Sequence, residues 1–339
     1  MSNSTSTSLN HTENIAVSAI LAIVGIFGLL SNITAIICVR QNPVLRNGFG
    51  LLCFSHSMAN LGVMLVFLLW VTPMTLLQSD LSMQLVGKVF GQINIMFWDV
   101  CVYSHLLISI NRIVALTSPH RASDLFDVRR TLCLVALVWF MGFCHVIPYF
   151  WNDHCYIQYD ATQWVFIFAD TPCGFVISTY TDNYTSSAVL IVILVLDFTT
   201  LIKLRISNNV LTTGQMGSVS LHVYKKRRHT EIRFFMQTLY QNALFFYEMS
   251  NFYYVSLMFT NQWAVFMTST FPWEVCHALD GFIVALFHFH FSFIGITPKA
   301  QATTVNEFRR DRQTSEAKGI SPRSHISSKS SPTRIVGKF

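Results

Sequence analysis

Residues 15–39 form an apolar run without one Lys, Arg, Asp or Glu. A helix needs about 20 predominantly apolar residues to cross the hydrocarbon of a bilayer, so this segment sets the solvent of the chain: lipid. The run is too long for the apolar centre of a cleaved signal, and residues 1–14 carry no basic cluster ahead of it. It therefore reads as an uncleaved first span behind a short polar tail. Further runs follow at 49–77, 89–116, 131–150, 184–206, 232–260 and 264–287. The expected fold class is an all-α membrane protein, a bundle of seven transmembrane helices. The division between the sixth and seventh rests on a turn near Asn261-Gln262 and is the weakest boundary. Composition agrees: 52% of residues are hydrophobic and 12% charged, against about a quarter charged in soluble domains, and mean hydropathy is +0.44. A soluble enzyme is excluded.

The net charge of +6 could suggest nucleic acid, but the basic residues form no groove on a soluble scaffold; they sort by side. All 23 Lys and Arg except Lys88 fall at Arg40/Arg46, between Arg112 and Arg130, between Lys203 and Arg233, or in the tail from Lys299. Glu13, Asp80, Asp153, Asp160, Asp170 and Asp182 fall on the opposite side. Basic loops stay cytoplasmic, so the N-terminus is expected outside and the C-terminus inside. The sequons at Asn3, Asn10 and Asn183 are then external glycosylation candidates, whereas Asn32-Ile-Thr34 lies within a span. Cys155 and Cys173 are the two cysteines of an external loop and are expected to pair, a closure contributing roughly 3 kcal/mol that the oxidising exterior permits.

These features divide the chain into an extracellular tail (1–14), a membrane domain (15–298) and a disordered Ser/Pro-rich cytoplasmic tail (299–339). The apolar stretch after Phe287, 288–297, either extends the seventh span or lies along the inner interface; the interfacial placement is preferred. The seventh run holds no Lys that could carry retinal.

The third run ends in Ser109-Ile-Asn111-Arg112-Ile-Val-Ala115, and here the chain resembles rhodopsin-like G-protein-coupled receptors. In those receptors an acidic-Arg-aromatic triplet at this place holds the sixth helix at rest, and its Arg turns to the G protein on activation. Here Asn111 replaces the acid, so a resting ion pair with the neighbouring residue is lost and Arg112 alone carries over. Gly28-Leu-Leu-Ser-Asn32, Asn60 where the second span usually has Asp, and Trp139 in the fourth agree. The chain departs from the superfamily in three ways: the third span lacks an outer Cys, the sixth lacks Trp-x-Pro, and the seventh has Asp280-Gly281 for Asn-Pro.

With Asn42-Pro43-x-x-Arg46-Asn47-x-Phe49-Gly50, Lys226-Arg-Arg-His-Thr-Glu231-Ile-Arg233-Phe-Phe-x-Gln237 and His277-Ala-Leu-Asp280-Gly281, the departures resemble nematode chemoreceptors of serpentine receptor class X. The resemblance covers about residues 15–300. It implies a multi-pass chemosensory receptor in the plasma membrane of sensory-neuron cilia, with a small chemical ligand and a heterotrimeric G protein as partners; a receptor oligomer is compatible, and no nucleic acid, cofactor or metal is implied. Arg112, Asn111, Arg227 and Arg228 are the coupling candidates, and the last two are equally suited to the acidic inner leaflet.

Ionisable residues inside spans are costly in lipid and face the bundle. Asn32, Asn60, His277 and Asp280 are expected to form a polar network in which Asn60 and Asp280 exchange the superfamily's usual Asp and Asn. Satisfaction of Asp280 by His277 alone, three residues earlier on one face, is the simpler alternative. Asp99 lies thirteen residues before Arg112, about 20 Å up the helix, and with Glu248 and Tyr247 is a ligand-pocket candidate; pairing of either acid with a neighbouring polar group competes with that role. Other classes stay open on less evidence: a transporter or channel subunit, which would more often show repeats or broken helices, or a receptor for an endogenous peptide or amine. A zinc hydrolase would need more converging ligands than His277 and Asp280 supply. No nucleophile-base arrangement or phosphate loop is present, so no enzymatic activity is expected.

Overall fold

In the computed structural model the backbone is described for residues 2–212 and 218–293, and side chains for 11–118, 121–206 and 229–288. Residues up to His290 form one compact unit; its spanning helices are α1 (Ser2–Gln41), α2 (Gly48–Leu77), α3 (Leu85–Thr117), α4 (Val128–His145), α5 (Pro172–Ile206), α6 (Ser218–Ser250) and α7 (Thr270–Phe293).

Among the described residues, α1 to α5 are long and apolar enough to cross a membrane by composition. The polarity of α6 and α7 has a structural reason. They turn Gln237, Thr238, Gln241, Asn242 and Glu248, and Thr270, Glu274, His277, Asp280 and His288, into the protein interior, where all are buried. By contrast α4 and α5 present Leu132, Leu137, Phe140, Ile191, Val195 and Phe198 outward, as lipid-facing helices must. Helix α3 packs against α2, α4, α5 and α6 and forms the axis of the bundle.

The first internal turn shows why its motif has that spacing. Asn42 accepts from the backbone of Val44, Pro43 opens a 3₁₀ turn, and Asn47 caps α2 by accepting from Gly50. At Gly50 a Cβ would stand 1.8 Å from the Leu45 carbonyl oxygen, so no larger residue fits.

Several boundaries differ from expectation. Helix α1 runs back to Ser2, so the polar tail is helical, and Asn14 at its inner end is buried and accepts from Trp164 Nε1 (2.9 Å). The polar segment Ile177–Tyr184 is a π-helical stretch within α5, which starts at Pro172 rather than 184. Helix α6 loosens through a π turn, Asn251–Val255, and a 3₁₀ turn, Ser256–Met258. A short helix, Gln262–Thr268, intervenes before α7 begins at Thr270 rather than 264; Asn261 caps that short helix. The stretch after Phe287 continues α7 to Phe293 instead of turning along an interface. No breaker interrupts it, and His288 is buried with its ring 5.8 Å from that of Phe234. Residues 294–297 lie outside the described residues, as does the tail 299–339.

Between α4 and α5 the chain folds into an antiparallel hairpin, β1 (Ile157–Asp160) and β2 (Val165–Phe168), with Asp160 opposite Val165. The Cys155–Cys173 disulfide closes its base, with Cα atoms 5.2 Å apart. At the turn Trp164 adopts a left-handed φ of 58°. A bulky residue avoids that region unless its surroundings hold it; here the indole is buried, donates to Asn14, and the Trp164 carbonyl accepts from Thr270 Oγ1 (2.7 Å). The Tyr159 hydroxyl meets Thr75 Oγ1 at 2.7 Å, and burial pushes its phenol above the ordinary value. The hairpin thus roofs one end of the bundle.

Candidate functional site: a roofed cavity, a carboxylate hub and an arginine clasp

Beneath the roof lies a small, nearly closed cavity with room for about one water. Ile95 and Trp98 of α3, Asp182 of α5, Glu248 and Met249 of α6, Phe252 and Tyr253 beyond it and Trp273 of α7 line it. The Trp98 indole donates to Glu248 Oε1 (2.9 Å) and the Tyr253 hydroxyl to Asp182. Trp273 is ringed by Phe67, Phe166 and Phe252, with centroids at 5.9, 4.8 and 5.5 Å. The site combines apolar rings with few convergent polar groups, the usual make-up of a small-molecule pocket.

Of the expected pocket residues, Glu248 lines this cavity. Asp99 is buried between α3 and α4, 3.5 Å from His145 Nδ1, while His145 Nε2 meets the Tyr103 hydroxyl at 2.6 Å; it borders neither this cavity nor the one below. Tyr247 is 47% exposed on the outer face of α6 and does not line the pocket. Aromatic residues alternate in the same way: Phe245, Phe252 and Tyr253 turn inward, Phe246 and Tyr254 outward. Asp182, assigned from sequence to an exterior loop, is a buried wall of the cavity because the π-helix carries it inward. Trp98 and Trp273 also escaped the sequence reading.

A second small cavity, again with room for about one water, lies below, bordered by Cys101, His105, Gln241, Phe245, Glu248, His277 and Asp280. Asp280 is its hub. Its Oδ2 accepts from Asn60 Nδ2 (2.5 Å) and contacts His56 Nε2, and its Oδ1 accepts from Gln241 Nε2 (2.6 Å). His277 does not touch the carboxylate; its Nδ1 lies 2.6 Å from Asn60 Oδ1, which also accepts from Cys101 Sγ (3.2 Å). Asn32 donates to the His277 carbonyl (3.1 Å). A Cβ at Gly281 would stand 2.4 Å from Asn32 Oδ1, which explains the glycine after the aspartate. His56 was missed from sequence, although its spacing of four from Asn60 places both on one face of α2. Lower still, Asn242 donates to Asp197 (2.6 Å) and Ser109 (3.1 Å), joining α6 to α5 and α3.

At the far end Arg112, 5% exposed, donates to Asn111 Oδ1 (2.6 Å) and pairs with Glu231 Oε2 of α6 (3.2 Å). Its guanidinium lies 3.6 Å from the Phe49 ring centre and 5.1 Å from that of Phe234. The acid absent from α3 is thus supplied by α6. The side chains of Asn3, Asn10, Arg227 and Arg228 lie outside the described residues; Asn183 is in the π-helix, its Oδ1 accepting from Ser187.

The family model described as "Serpentine type 7TM GPCR chemoreceptor Srx" matches residues 22–288. The chain belongs to this family. It is a G-protein-coupled receptor of the serpentine chemoreceptor class, a multi-pass membrane protein and a receptor rather than an enzyme. Serpentine receptor class X 45 of Caenorhabditis elegans is 24% identical over 296 residues, 84% of this chain and 81% of the relative. Melatonin receptor type 1C of Gallus gallus is 26% identical over 158 residues, 45% of this chain and 44% of that one. The crystal structure of squid rhodopsin superposes with a TM-score of 0.67 at 14% identity, covering 82% of this chain and 83% of that one, a likeness of fold. The seven-helix architecture expected from the apolar runs is therefore that of this serpentine receptor.

Proposed function

We propose that this receptor binds a small chemical from outside the cell in the roofed cavity and transmits its presence to a heterotrimeric G protein through release of Arg112 from Glu231. The observation that carries this reading is that α3 and α6 supply both ends: Trp98 and Glu248 at the cavity, Arg112 and Glu231 at the far face. A ligand that parts Trp98 from Glu248 shifts α6 against α3, and it favours the released state by as much as it binds that state better. Arg112 and Asn111, together with Arg227 and Arg228, are the coupling residues in this reading.

In this reading the N-terminus is outside and the C-terminus inside, as the one-sided distribution of Lys and Arg supports, and the receptor works at the plasma membrane of sensory cilia, alone or with a second receptor. Residues 15–298 are the signalling domain, 299–339 a regulatory tail, and Asn3, Asn10 and Asn183 the glycosylation sites. In this nearly closed state the cavity holds about one water, so a ligand enters by parting its walls, and the aromatic lining suits a compact, largely apolar one.

The test is expression with a promiscuous Gα subunit and a screen of volatile and secreted metabolites for second-messenger responses. At unchanged surface level, Arg112→Ala should abolish any response and Glu248→Gln should shift its concentration dependence at least tenfold. An unaltered response in Arg112→Ala would refute the coupling role.

A further inference from the structure

Beyond ligand and G protein, the core holds a chemistry neither uses. His56 of α2, His105 of α3 and Asp280 of α7 are all buried, and one ligand atom from each lies within 4.8 Å of the others. The two imidazoles meet edge to face with centroids 4.5 Å apart, and His105 is fixed by stacking on Phe245 at 5.3 Å and 10°. His56 Nδ1 is buried without a hydrogen-bond partner. The second cavity opens directly on His105 and Asp280.

We propose that His56, His105 and Asp280 bind a divalent transition metal of the zinc class. Two imidazoles and a carboxylate with one open position are a donor set that zinc takes, with metal–ligand distances of about 2.0–2.2 Å. Imidazole suits zinc, copper and nickel, while magnesium and calcium require oxygen donors; the donor set thus selects against alkali and alkaline-earth ions. Binding through His56 Nε2 uses the nitrogen that already faces Asp280, and the ring's other nitrogen, Nδ1, has no hydrogen-bond partner to compete for its orientation. Asn60 and Gln241 remain on the carboxylate and hold it in place. The second cavity offers room for a water at the open position.

The ligands come from three helices, so the metal fastens α2, α3 and α7 together. An ion that binds one arrangement of helices stabilises it by mass action. Zinc therefore raises thermal stability and opposes rearrangements that separate these helices.

The experiment uses the full chain, purified in nanodiscs through a peptide tag without histidines. Titration with Zn²⁺ against a chromophoric chelator should show one high-affinity site per chain. Co²⁺ should give the visible absorption of a four-coordinate nitrogen–oxygen site, displaced by Zn²⁺, and neither Na⁺ nor Mg²⁺ should compete. His105→Phe, which keeps the ring packing, should weaken Zn²⁺ binding at least tenfold and remove the Zn²⁺-induced rise in melting temperature. The cobalt spectrum of the unsubstituted protein decides the question even where that variant fails to fold. Absence of a stoichiometric site, or a site indifferent to His105→Phe, would overturn the proposal and leave the receptor assignment untouched.

Discussion

Two regions close this bundle, by different physics. At the roofed end Trp273 is surrounded by Phe67, Phe166, Phe252 and Trp98, with ring centroids 4.8–6.5 Å away. One turn or two below, Asp280 gathers His56, Asn60 and Gln241 on its two oxygens. Ring packing is spread over many contacts of about 0.1–0.2 kcal/mol each and tolerates sliding. A buried carboxylate is satisfied or it is not, and an unsatisfied one in low dielectric is expensive. The roof is therefore the region that can yield to a ligand, and the hub is the region that keeps the helices in register.

The largest expected effect comes from breaking the hub. Asp280→Ala strands His56, Asn60 and Gln241 together and should cost about 4 kcal/mol, read as loss of surface expression or a sharply lowered melting temperature. Asp280→Asn should be milder, and Asn60→Asp combined with it should restore part of the loss; a double variant no better than the single one would reject the exchange between α2 and α7. At the roof, Trp273→Ala should cost about 3 kcal/mol, and Trp273→Phe much less, since the neighbouring rings can close in. A roof as intolerant of Phe as the hub is of Ala would erase the distinction.

Replacing Cys155 and Cys173 by Ser should lower stability by about 2–3 kcal/mol and expose the hairpin to limited proteolysis while the helices stay protected. The smallest effect is expected for Thr75→Val, which removes the partner of the Tyr159 hydroxyl and should cost about 1 kcal/mol in melting experiments.

How far these regions were legible in the sequence follows the same division. The hub was half visible: Asn32, Asn60, His277 and Asp280 stand out because polar residues in apolar runs have no other reason to be there. His56 is hidden because Asp280 has a nearer apparent partner, His277, on its own helix, although two pairs at a spacing of four, His56/Asn60 and Cys101/His105, point the same way. The roof was nearly invisible. Its rings lie on separate elements with no shared spacing, and the π-helix at Ile177–Tyr184 is too polar to be read as part of a span, which left Asp182 outside. The inner clasp fell between: Arg112 was legible from its place at the end of the third run, but nothing near it in sequence points to its acid, Glu231, which α6 contributes.

Asp280 and Gly281 serve different neighbours, the first α2 and α6 through its carboxylate, the second α1 through the space it leaves for Asn32. In the language of descent, adjacent codons answer to separate partners. A change at position 280 must be met by its partners at 56, 60 and 241, and one at position 281 by movement or shortening of the Asn32 side chain, so two adjacent positions are constrained by different helices.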